Sequence, residues 1–355
     1  MNIKHCWIEN VDEFKSIARE WDRAVCSGED DNPFLLSNFI LTWWKYYSAG
    51  LQLRVFVVYD DENVIGGLPL CLDSRRCLSY PGGSAAAYTE FFSVGTESDF
   101  IWQRFLKALE ERKDWQRVYL SRFKKKRFFL LKAQLSEDFN HTNIFIDVFK
   151  CDFSYSISIP ENLSDYFNAL SKKLRYYVRR SQKELSRLGA INLFSLNSEN
   201  ELDGWCDKYI QLSCSSFRER GRESNFESTA YCLFFKELIK KFFQAGYLDA
   251  HALKLEGKII ALHFGYSIKN NFNYLFPSFD TSFAKFNPGH LLIYKLIELA
   301  SERKSKNFDL YTGYRLYKEQ WSNTIDEILC VEIRRKNFRN NIERSVVFNL
   351  KNLPL

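Results

Sequence analysis

The run Pro288-Gly289-His290-Leu291-Leu292 opens an apolar helical stretch and is the best candidate in this sequence for holding an anion. Pro288 lacks an N–H and presets the backbone for a helix start. Gly289 lets a ligand approach the main chain closely. Unpaired amides near Gly289, His290 and Leu291, at the positive end of the helix dipole, can hold a pyrophosphate. The same Pro-Gly pair is also an ordinary way to begin a helix, so spacing alone leaves both readings open. A second candidate is the basic cluster Lys172, Lys173, Arg175, Arg179 and Arg180. Arg175 and Arg179 are four residues apart and project from one helical face, where two guanidiniums can clamp a diphosphate; a solvated basic face is the competing reading. His263 stands in the apolar stretch Ala261-Leu262-His263-Phe264-Gly265. It is either a hydrogen-bonded core residue or a base.

Other chemistries lack their residues. The sequence has no G-x-S-x-G, no H-E-x-x-H, no G-x-x-x-x-G-K-[ST] and no G-x-G-x-x-G. Its five His do not pair at metal-ligand spacing, so no metal site is expected. The nine Cys are scattered without a C-x-x-C, which argues for free thiols in a reducing compartment.

The elements that must position these residues follow from periodicity. Helices are expected over 11–25 and 38–47, with Ser37 as a cap of the second. Strands are expected at 51–59 and 64–70, the latter irregular, with a bulge or at an edge, because of Gly66, Gly67 and Pro69. A helix at 101–111 and a strand at 118–120 follow. One long amphipathic helix is expected over 162–188, with Gly189 as its stop. After it come a strand at 190–194, helices at 201–217 and 227–244, and strands at 248–255, 258–268 and 272–276. The chain then enters the 290–304 helix, a strand at 308–311, a helical turn at 314–321 and a last strand at 328–334. Helices, hairpin, helix and strand occur in both halves, which suggests an internal duplication. The expected domains are 1–150, 151–340 and a tail, 341–355.

The 355 residues suit two ordinary domains. No apolar stretch reaches the roughly 18–20 residues of a membrane-spanning helix, and the opening residues lack the apolar core of a signal peptide; the expectation is a cytoplasmic protein. A net charge of +6 is gathered partly into Arg122, Lys124, Lys125, Lys126 and Arg127, beside Phe128 and Phe129, where peripheral membrane contact is conceivable.

Several pieces together resemble the CelD-like acetyltransferases of polysaccharide biosynthesis, in the FemAB-like branch of the GNAT superfamily. They are Leu255-Glu256-Gly257-Lys258-Ile259-Ile260-Ala261, Tyr274, Phe279-Asp280, Phe286-Asn287-Pro288-Gly289-His290-Leu291-Leu292, Asn307-Phe308-Asp309 and Tyr317-Lys318-Glu319-Gln320-Trp321. The basic cluster with Gly189, and upstream Phe34-Leu35 with Trp43-Trp44, extend the resemblance over most of the chain. It implies an α/β fold with mixed sheets: two GNAT-like acyltransferase units in tandem, the first degenerate and the second active. It also implies transfer of an acyl group to an amine, with acyl-CoA, such as acetyl-CoA, as co-substrate and no metal.

On that reading His263 and Asp309 are candidate bases, Tyr311 or Tyr317 protonates the leaving group, with a core position as the alternative for each, and Lys318 lies near the donor phosphate, with a solvated helix face as its alternative. Pro288, Gly289, His290, Leu291 and Tyr317 bind the donor. Arg175, Arg179 and Asp280 bind the acceptor, Asp280 having a loop cap as its alternative. The acceptor is a small-molecule amine, an amino sugar or a sugar-nucleotide precursor of a surface polysaccharide, and no DNA partner is expected. The usual GNAT phosphate signature, Arg/Gln-x-x-Gly-x-Gly/Ala, is absent at 288–292. Two alternatives therefore stay open: a Fem-type transferase using aminoacyl-tRNA, and a non-catalytic GNAT-like binding module.

Overall fold

Apolar alternating runs become strands and 3.6-periodic runs become helices, in an order that occurs twice. The structure, a computed structural model, describes residues 2–28, 32–95, 98–125 and 143–336. In the first round β1 (Ile3–Ile8) precedes helices α1 (Val11–Ser27) and α2 (Ser37–Tyr47). Then come β2 (Gln52–Asp60), β3 (Asn63–Leu72), β4 (Cys77–Ser79), the short β5 (Phe92–Ser93), α3 (Ser98–Glu111) and β6 (Arg117–Lys124). After β7 (Ile144–Ser158), α4 (Leu163–Ala169) and α5 (Lys172–Ser186), the order returns. The second round has β8 (Ile191–Ser195), α6 (Glu199–Glu219), α7 (Thr229–Gln244), β9 (Leu248–Leu255), β10 (Lys258–Ile268), β11 (Asn271–Phe279), α8 (Pro288–Glu302) and β12 (Asn307–Thr312). Helix α9 (Leu316–Trp321) and strand β13 (Thr324–Arg335) follow.

Strand directions repeat as well. Strands β1 to β4 are successively antiparallel, and β4 pairs with β6 in parallel. Strands β8 to β11 are likewise antiparallel, and β11 pairs with β12 in parallel. Matching order and matching directions identify a duplicated mixed α/β unit.

The first unit takes in Met1–Asp152 and Asp326–Leu355, the second Phe153–Ile325. The second unit thus ends at Ile325 and not at the 340 read from the sequence. The cause is β13, whose residues 328–334 make their ladder with β6. The 341–355 tail lies outside the described residues.

Two local expectations change, and a third is met by one of its two alternatives. The 162–188 helix is two helices, because Leu170 is extended (ψ 154°) and Ser171 starts the second by accepting the Leu174 N–H at 3.2 Å. Ser37 lies inside α2 and does not cap it; its N–H and Oγ bond the Asp22 carboxylate at 2.7 and 2.6 Å. Strand β3 is interior, with β2 and β4 as neighbours, and its expected irregularity is a bulge: Val58 pairs with Gly66 and Tyr59 with Val64, leaving Ile65 as an extra residue. Its glycines serve packing: a Cβ on Gly66 would lie 2.5 Å from Ile101, and one on Gly67 2.5 Å from Trp21.

The sheet of the second unit is covered on both faces. Leu174, Val178, Leu185, Leu291 and Leu296 pack with Phe272 and Phe308 on one face. Trp205, Tyr209 and Phe235 pack with Leu262 and Phe264 on the other. Each such buried side chain contributes about 1.5–3 kcal/mol of apolar burial. Among the described residues no helix is long and apolar enough to cross a membrane, and no three His, Cys, Asp or Glu converge as a metal site. The nine Cys are free thiols.

Candidate functional site

Strands β11 and β12 pair for only three residues: Asn271 with Asn307, Phe272 with Phe308, and Asn273 with Asp309. Beyond that point β11 follows β10 to Phe279, and β12 follows β7 to Thr312. Two parallel strands that each keep a partner on the far side, but lose each other, make a fork. Main-chain groups facing into the fork have lost their ladder partners, and such groups seek a ligand.

The foot of the fork is a tied polar knot. Asp309 is 4% exposed and its Oδ1 accepts the Tyr311 N–H at 2.7 Å. Tyr311 has a positive φ of 62°, which a bulky residue adopts only when its surroundings impose it. Its hydroxyl donates to Asn273 Oδ1 at 2.9 Å. Tyr311 therefore clamps one prong to the other, and its proton is already committed.

Lys318 has two sequence readings, a residue near the donor phosphate and a solvated helix face. The structure buries it to 9% exposure and sets its ammonium against the end of β12, donating to Thr312 O at 2.6 Å and Tyr311 O at 3.4 Å. Hydrogen bonds from a charged donor are the stronger kind, about 1.5–3 kcal/mol each net. Lys318→Ala is expected to lower the unfolding free energy by about 2 kcal/mol in urea titration. Full stability with lost turnover would instead place the ammonium on the substrate.

Tyr274 and Tyr317 bring phenols to the same unit. Burial pushes the Tyr317 pKa up to about 12, against a smaller downward pull from Arg315. Burial, with the Tyr317 and Tyr209 phenols, holds Tyr274 well above its ordinary value. Neither the Tyr274 nor the Tyr317 hydroxyl has a hydrogen-bond partner among the described residues.

Above this lies the start of α8. Asn287 is left-handed (φ 52°), and its carbonyl takes both the His290 N–H (3.1 Å) and the Leu291 N–H (3.4 Å). Of the three amides expected to be free, only that of Gly289 remains so among the described residues, because this turn consumes the other two. Pro288 and Leu291 are buried in the core. His290 Nδ1 accepts from Trp321 Nε1 at 3.1 Å, so the neutral ring carries its proton on Nε2. The imidazole stacks on Tyr177 of α5 at 5.7 Å, and burial lowers its pKa. The lone pair used by Trp321 and the positive helix end both favour the neutral form.

The basic cluster occupies α5, which packs along α8. Arg179 is exposed over the Phe167 ring at 5.6 Å, whereas the Arg175 Nε is occluded without a protein partner. Asp280 caps the 281–286 turn, accepting from Ser282 N (3.1 Å) and Oγ (2.6 Å), and pairs with Lys258 at 3.1 Å. Burial would raise its pKa, but these partners outweigh it and hold the carboxyl low. Of its two readings, the cap is the one its bonds display.

His263 is corrected. It is fully buried, stacked on Tyr274 at 4.7 Å, and neither ring nitrogen makes a hydrogen bond of ordinary geometry. Burial pushes its pKa down to about 3, with a further push from His251. A group sealed in the core cannot meet an amine. Tyr177 and Trp321, which orient His290, and Asn273 at the fork carry no role in the sequence reading; only strand register and helix packing bring them together.

The first unit has the same parallel pair, with Cys77 to Ser79 opposite Arg117 to Tyr119. Its fork, however, is filled by its own chain. Thr89 donates its N–H to Arg122 O at 3.0 Å, Arg122 N–H bonds Thr89 Oγ1 at 3.1 Å, and Lys124 N–H bonds Glu90 Oε1 at 3.3 Å. Thr89 and Glu90 are buried. The basic run beginning at Arg122 is thus partly structural; residues 126–129 lie outside the described residues.

A mixed sheet with a parallel fork, and a helix starting above it, is the arrangement to compare with known proteins. Residues 172–319 match the family described as acetyltransferase (GNAT) domain. The matched residues all lie within the second unit. The chain is similar to the solved structure of FemX, with a TM-score of 0.65 and 12% identity, over 92% of this chain and 96% of that one. It is similar to a conserved protein of unknown function from Bacteroides thetaiotaomicron VPI-5482 (TM-score 0.58, 13% identity, 94% and 100% covered). A third likeness is to the C-terminal domain of a putative lysylphosphatidylglycerol synthetase from Agrobacterium fabrum (TM-score 0.56, 10% identity, 94% and 95% covered). At these identities the likeness is one of fold, and the fold is a mixed α/β one of the FemAB-like GNAT type. No curated protein matches the sequence. The CelD-like subgroup remains a resemblance.

Proposed function

We propose that the second unit is an N-acyltransferase that moves an acyl group from acyl-CoA to an amine, an amino sugar or sugar-nucleotide precursor of a surface polysaccharide. The observation that carries this reading is the open β11–β12 fork beneath the Gly289 end of α8. Acyl-CoA supplies an activated thioester. The residues fit such a donor: the free Gly289 amide and the helix dipole suit a pyrophosphate, and the unpartnered Arg175 Nε suits an anion beside it. Main-chain donors on the fork edges suit a developing oxyanion.

Asp309, at the foot of the fork, is the carboxylate placed to draw off the amine's proton through water. Tyr317 keeps its proton at neutral pH and has no internal acceptor, so it is the phenol able to hydrogen-bond the leaving group. Tyr311 is the clamp. Removing only the hydroxyl, in Tyr317→Phe, is expected to cut kcat about tenfold with an unchanged melting temperature; an unaltered kcat would take Tyr317 out of the chemistry.

Isothermal titration with CoA and acetyl-CoA tests the donor. Micromolar binding is expected, and no heat from either would overturn the CoA reading. One observation favours a second donor, aminoacyl-tRNA: the 15 residues of α5 carry six Lys or Arg, most of them exposed. Such a face suits a polyanionic carrier, and the fold likeness to a lysylphosphatidylglycerol synthetase domain accords with aminoacyl transfer. Binding of charged tRNA without binding of CoA would establish it.

A further inference from the structure

Strands β8 and β9 carry a second cluster of reactive side chains, away from the fork strands. Asp249 and His251 are two apart on β9 and so share one face of the sheet. The β8–β9 register puts Ser195 directly opposite His251. Ser195 Oγ lies 3.0 Å from His251 Nδ1, and His251 Nε2 lies 2.5 Å from Asp249 Oδ1. Arg303 Nη1 donates to both Asp249 oxygens at 2.9 Å.

These bonds fix the protons. Burial would raise the Asp249 pKa, but His251 and Arg303 outweigh it and hold it at about 2. The carboxylate is therefore an acceptor only, and the imidazole proton must sit on Nε2. Nδ1 then offers a lone pair, and the Ser195 hydroxyl donates to it. His251 is 1% exposed and packs against Phe272 at 6.0 Å.

Ser195, by contrast, is exposed and ends the strand at the margin of its sheet. Leu196 N–H turns inward to Ala250 O at 2.9 Å. In an antiparallel ladder the preceding amide, that of Ser195, then points outward, free for an oxyanion.

We propose that Ser195, His251 and Asp249 form a nucleophilic serine centre that cleaves small carboxylic esters. Ser195 Oγ attacks the ester carbonyl carbon while its proton passes to His251 Nδ1. The bond from that carbon to the leaving oxygen breaks, and the leaving alkoxide takes the proton from Nδ1. Water then repeats the sequence on the acyl-serine, releasing a carboxylic acid and restoring the hydroxyl. Asp249 orients the ring and stabilises the imidazolium formed in each half.

The test is labelling of the full-length protein with a fluorophosphonate probe, followed by peptide mass spectrometry, with p-nitrophenyl acetate hydrolysis in parallel. The expected result is one adduct, on Ser195, absent from Ser195→Ala, with hydrolysis at least 100-fold slower in that variant. Ser195 is exposed, so its removal leaves the fold intact. His251→Asn is expected to slow labelling in protein whose circular dichroism is unchanged. An unlabelled wild-type protein, an adduct elsewhere, or equal hydrolysis by Ser195→Ala would each overturn the proposal. No CoA enters the assay, so its outcome is separate from that of the fork reading.

Discussion

Gly289→Glu is expected to weaken CoA binding at least 100-fold while leaving the melting temperature unchanged or slightly raised. The two effects have opposite signs for one reason, the positive end of α8. A carboxylate in the first turn interacts favourably with the helix dipole, worth about 0.3–1 kcal/mol. The same carboxylate sits where the donor's phosphates would lie and repels them; a 100-fold loss corresponds to about 2.7 kcal/mol. The fold has room for the change. A Cβ at Gly289 would have as its nearest neighbour the Phe279 ring edge at 3.5 Å, an ordinary contact, and the residue is not left-handed. Calorimetry with CoA and a thermal melt of the same sample separate the effects. Unchanged affinity would remove the donor from this helix. Lost affinity with a collapsed melt would mean that the glycine is structural.

Lowering the pH from 7 to 4.5 is expected to cost about 2–3 kcal/mol of stability through His263 alone. The buried ring has its pKa lowered to about 3, chiefly by burial. The unfolded chain, with an ordinary value near 6.5, binds the proton first. The stabilisation is thus complete above about 6.5 and is lost as the pH falls toward 3. Asp249, held at about 2, loses its contribution only below an ordinary carboxyl value near 3.8, so the two windows separate. Urea titrations of wild type and His263→Leu at both pH values read the difference. A flatter profile in the variant is expected; parallel profiles would mean that the ring titrates normally.

Much of this molecule was legible in one dimension, and the limits have physical causes. The hairpin at 248–268, the Pro288-Gly289 helix start and the repeated order of elements depend on local periodicity and turn chemistry, which sequence records. What failed depends on register or on a remote partner. His263 looked like a base because an isolated histidine in a strand is indistinguishable from a core one until its neighbours across the sheet are known. His290, three residues past Asn287, shows in sequence only its place at the helix start; its fixed tautomer requires Trp321, 31 residues away. Lys318 kept both its readings, donor contact and solvated face, because nothing local shows that two carbonyls of the preceding strand lie under its ammonium. The 162–188 helix looked continuous because both halves share an apolar stripe, and only Ser171 marks the break.

The filled fork of the first unit has a thermodynamic consequence. Its occupant, the segment bearing Thr89 and Glu90, is part of the same chain. It is therefore present at an effective concentration that neither dilution nor competition with solutes alters. On the proposed function, the fork of the second unit takes its occupant from solution, and that occupancy would stabilise the unit by RT ln(1 + [L]/Kd). Of two units built to one plan, the first then behaves as a permanently saturated receptor. On the same proposal, only the second would report, through its resistance to unfolding, how much donor surrounds it.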